Sequence, residues 1–142
     1  MSSFFTNRAK LRAFSILFNS GTQPTSYYAC LIASGAPTVD TSGWNELLAN
    51  ESDYYSRIRL DLNSDDFTSL TQDDANDYAT MEIRDLVFTA AGGDLSATWC
   101  VIVDDNSDEN NKDVFICLDL SGTKTVSDTQ TLTLSNTTLR CT

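Results

Sequence analysis

Apolar residues fall into two regimes along the chain. Between Arg8 and Phe18 they recur at helical spacing, with Leu11, Phe14, Leu17 and Phe18 on one stripe and Arg8 and Arg12, four apart, away from it. From Tyr27 onward they alternate, or cluster in short runs cut by Gly, Asn and Asp, which is the signature of strands. The pattern predicts a helix over 6–19, capped by Thr6 or Asn7, with Gly21 just past its end. The stripe is expected to face inward, across an edge or face of a sheet, and the charges outward.

The first strand is expected over 26–33, ended by Pro37, which cannot donate to a ladder. Residues 38–53, with Trp44, Leu47 and Leu48 in a polar setting, read as a long loop with room for one helical turn. Over 54–62 the alternation puts Tyr54, Ile58, Leu60 and Leu62 on one face and Tyr55, Arg57, Arg59 and Asp61 on the other. A polar face of that kind is wet or meets a polar partner. Further strands are expected at 67–71, 81–89, 97–103 and 114–120, the last two as a hairpin across 104–113. Strand 97–103 is apolar on both faces, which belongs at a sheet centre or a subunit interface. A last hairpin is expected from 123–126 and 129–134 around Ser127-Asp128. A parity change between Leu134 and Leu139 marks a bulge or bend near Asn136. Seven to nine short strands predict a mainly β fold: one domain over 1–142, an antiparallel β-sandwich or jelly-roll-like body over 26–141 behind one short N-terminal helix.

Composition narrows the chemistry. The chain has no histidine, so Ser-His-Asp and Cys-His nucleophiles and the commonest metal ligand are missing. Cys30, Cys100, Cys117 and Cys141 are widely spaced and form no CxxC pair, so they are expected as reduced, small buried hydrophobes and not as zinc ligands. Oxygen-bearing side chains at Asp104, Asn106, Asp108 and Asn110 resemble the first half of an EF-hand loop. Glu109 then stands at the turn glycine and Phe115 at the bidentate Glu, so no metal is expected. Gly92-Gly93 lacks the downstream Gly-Lys of a phosphate loop, and no spacing of the acids singles out a catalytic pair. No catalytic residue and no cofactor is therefore assigned.

Net charge is −11, with sixteen Asp against four Glu. Such a balance opposes nucleic-acid binding and favours solubility or docking on a basic surface. No apolar run reaches the length of a membrane span, and the N-terminal residues lack the pattern of a secretion signal, so neither membrane nor secretory route is expected. Three of the nine basic residues, Arg8, Lys10 and Arg12, lie on the helix. With Arg57 and Arg59 on the polar strand face, they are the candidate partner-binding residues. Segments 61–77 and 104–113 carry eleven of the twenty acids against Lys112 as their base, and are expected outside the core, at a partner's rim or an outer tip.

The order of segments resembles a family of small virion structural proteins of tailed bacteriophages. The likeness runs through residues 7–18 (Asn7, Lys10, Leu17), 25–37 (Tyr28, Leu31, Pro37), 54–60, 98–104 (Trp99, Val101), 114–120 and 123–134 (Thr123-Lys124-Thr125-Val126), with Asp128 where the final turn often has glycine. The resemblance implies a non-enzymatic β protein of the virion, made in the host bacterial cytoplasm. It would be a capsid decoration (cement) protein bound to the major capsid protein as an oligomer, expected as a homotrimer, or a small tail or collar component. A receptor-binding or carbohydrate-binding tip using Tyr and Asp on one sheet face is the other reading.

Overall fold

The computed structural model describes residues 2–141. Ten strands and one α-helix follow in the order β1 (Ser2–Phe5), α1 (Asn7–Phe18), β2 (Ser26–Ile32), β3 (Ile58–Asp61), β4 (Phe67–Asp73), β5 (Tyr78–Ile83), β6 (Leu86–Thr89), β7 (Leu95–Asp104), β8 (Val114–Val126), β9 (Thr131–Leu134) and β10 (Thr137–Cys141). The fold is mainly β, as expected, with antiparallel pairing in all three sheets. Five strands pair in the order β1-β8-β7-β2-β3, three in the order β10-β5-β4, and β6 pairs with β9.

Alternation along the central strands builds two cores. Ala29, Leu31, Cys100, Ile102, Ile116 and Leu118 point from the five-stranded sheet toward Ile83, Leu86, Phe88, Leu134 and Leu139 of the smaller sheets, giving a sandwich-like body. Cys30, Ile32, Val101, Val103 and Cys117 point the other way, onto Trp44 and Leu47. Trp44 and Leu47 belong to the connection after β2, which holds two short 3₁₀ turns, Trp44–Glu46 and Leu48–Asn50. The doubly apolar β7 therefore sits at a sheet centre, between β8 and β2, and this chain covers both of its faces. It gives no reason to invoke a subunit interface.

Several expected elements are corrected. The chain opens on a strand, β1, which pairs with β8 (Phe4 opposite Cys117) and sets the Phe4 ring 5.9 Å from Trp99. The strand expected over 54–62 is regular only over Ile58–Asp61. Tyr54 has φ 63°, which breaks the alternation before it can start. Its carbonyl accepts from Ala91 N (2.9 Å), and its ring lies where a Cβ on Gly93 would sit at 2.8 Å, so the Gly92-Gly93 turn exists to receive it. Tyr54 is exposed and Tyr55 packs against the core, the reverse of the expected faces. Residues 81–89 divide into parts of two strands of different sheets, β5 and β6.

The terminal hairpin is also absent among the described residues. Residues 123–126 continue β8 and pair with β7 (Leu95 opposite Val126), after a bulge at Ser121 (φ 60°) and Gly122 (φ 105°). β9 pairs with β6 instead. The bend near Asn136 stands: its φ of 56° turns the chain from the β6–β9 ladder to the β10–β5 ladder.

Candidate interaction surface

Helix α1 is held at its first turn. Thr6, fully buried, caps it by accepting from Ala9 N (3.1 Å), and its own hydroxyl donates to Val114 O (2.6 Å). Asn7 N donates to Val39 O (2.7 Å). The far end closes with Asn19 N and Gly21 N both on Ser15 O (2.9 and 2.8 Å). Ser20 takes the left-handed residue (φ 55°), and a Cβ on Gly21 would lie 2.9 Å from the Ser15 backbone carbon, so glycine is needed for closeness there.

The helix is turned the opposite way from the expected one. Arg12 pairs with Asp113 at 2.7 Å, donates to Thr22 O at 3.0 Å and lies 5.8 Å over the Phe115 ring. Arg8 approaches the same Asp113 at 3.5 Å. Asp113 is half-buried beside β8, and two guanidiniums with their aliphatic stems satisfy it from the helix. The stripe consequently faces solvent: Leu11 is 58%, Phe14 64%, Leu17 70% and Phe18 79% exposed. None of the twelve helix residues is buried.

Beneath the helix's inner edge, formed by Ala9, Ala13 and Ile16, an apolar groove of about 580 Å³ opens at one end of the sandwich. Its floor includes Tyr27 and Phe115, whose rings meet edge to face at 5.5 Å. Burial raises the Tyr27 hydroxyl's pKa above its ordinary value, although Arg12 opposes the shift. The far wall is Leu62, Phe67, Leu70 and Met81. Ser69, with φ 50°, interrupts the β4 ladder between Thr68 and Thr71 and leaves Leu70 72% exposed at the lip. Periodicity hid this groove, because its walls come from segments far apart in the chain, among them α1, Tyr27, residues 62–70, Met81 and Phe115.

The other candidate residues are committed elsewhere. Arg57 grips Glu51 with two bonds of 2.8 Å, reaches Glu109 at 2.6 Å and lies 5.4 Å over the buried Trp44 ring. Tyr55 donates to the same Glu51 (2.6 Å) and accepts from Leu31 N (2.9 Å). Burial works against the Glu51 charge, but the Arg57 and Tyr55 hydrogen bonds prevail and hold its pKa below the ordinary value. Arg59 pairs with Asp61 in the open (2.9 Å). Lys10 is exposed and, of the five candidates, makes no ion pair among the described residues.

The acidic loop between β7 and β8 uses its oxygens internally. Asn106 N donates to Asp104 Oδ1 (3.2 Å), Asp108 N to Asn106 Oδ1 (3.0 Å) and Asn110 N to Asp108 Oδ1 (3.0 Å). The spacing that suggested calcium is a run of Asx turns. Inside the loop the Lys112 ammonium donates to Asp104 O (3.3 Å) and Asn106 O, 5.4 Å from the Tyr28 ring. Asp104 and Lys112 are buried, so the expectation that this loop lies wholly outside the core is corrected at both its ends. Burial lifts the Asp104 carboxyl above its ordinary pKa, with the Asp113 charge adding to the lift. Among the described residues no three His, Cys, Asp or Glu side chains are grouped to hold a metal ion, and no helix is long and apolar enough to cross a membrane.

No protein-family model matches the chain, and no curated protein matches it.

Proposed function

We propose that this protein is a non-enzymatic structural protein of a tailed-phage virion that works by docking, as a capsid decoration protein bound in several copies to the shell. One observation carries the docking half of the reading: a twelve-residue helix, capped at both ends, presents four large apolar side chains to solvent on a chain of charge −11. Apolar surface of this kind, beside an apolar groove, marks an interaction site in a protein that is otherwise strongly solvated. The virion setting rests on the resemblance in segment order. Arg8, Arg12 and Arg57 are tied to Asp113, Glu51 and Glu109, so partner contact is assigned to the apolar helix face with Lys10 at its edge.

Counting copies per particle by quantitative mass spectrometry tests this. A decoration protein is present in hundreds of copies, a tail or collar component in a handful, and absence from particles rejects the virion reading.

A further inference from the structure

We draw no further inference here: the strongest candidate, the apolar groove between the inner edge of α1 and the wall of Leu62, Phe67, Leu70 and Met81, is lined by Lys10 and Arg12 and by no acid, and nothing in the structure shows what covers it.

Discussion

Single side chains in this protein do their work by satisfying buried charge. Arg57 fills that role for Glu51, Glu109 and the Trp44 ring at once. Removing it by Arg57→Ala leaves a half-buried carboxylate facing the Tyr55 hydroxyl with no cation, a loss of about 2 kcal/mol expected in urea unfolding. Losing the favourable Glu51 environment also has a pH signature. Its pKa is lower folded than unfolded, so its contribution is present above the ordinary value of 4.5 and fades as pH falls below it. Arg57→Ala should therefore flatten that part of the wild-type stability curve. The cysteines act at the other end of the scale. Burial pushes the Cys30 and Cys117 thiols from 9.0 up to about 12, so both resist reagents, while Cys141 is exposed at the groove. One thiol should react with a disulfide reagent in the native protein and four after denaturation. Since the buried thiols have raised folded pKa values, stability should be level below pH 9 and fall above it. The slope should be about 1.4 kcal/mol per pH unit for each thiol. Burial of Cys30, Cys100 and Cys117 was legible from their strand contexts; that Cys141 escapes it was not, because its strand lies at a sheet edge.

At the scale of elements, α1 shows what periodicity can and cannot say. Its existence and ends were readable from the Leu11-Phe14-Leu17-Phe18 stripe and from Thr6 and Gly21, within one residue of the observed Asn7–Phe18. Its orientation was not, because a stripe reports only that a helix seeks an apolar partner, and Asp113 claims the opposite face through Arg8 and Arg12. Energetics follow that division. Thr6→Ala removes a buried cap and its bond to Val114, and should cost about 1–2 kcal/mol in thermal unfolding. Phe14→Ser should change stability by no more than about 0.5 kcal/mol, since its ring is exposed in the single chain. If the two effects come out in the reverse order, the stripe is packed within the chain and the helix is not the docking element. The same logic explains Tyr54 and Tyr55. Alternation assumes an extended backbone, and the positive φ at Tyr54, bought by Gly92-Gly93, lies outside any period-two rule.

Across the whole molecule, local pairings were legible and distant ones were not. The β7–β8 hairpin and the bend at Asn136 announce themselves within about twenty residues of chain. The pairing of β1 with β8 sets Ser2 opposite Asp119, and β6 finds β9 across the full length of β7 and β8; nothing local encodes either. The smaller sheets on one side and Trp44 and Leu47 on the other cover β2, β7 and the first half of β8 on both faces, while α1 has no buried residue and is attached through its first turn and the contacts of Arg8 and Arg12. Opening free energy should follow that gradient. In hydrogen exchange, amides of β2 and of 97–103 in β7 should exchange slowest, at the rate of global unfolding. Amides of α1 beyond its first turn should exchange orders of magnitude faster. If α1 exchanges as slowly as β2, the helix is held by its own chain, and its exposed stripe is no docking face.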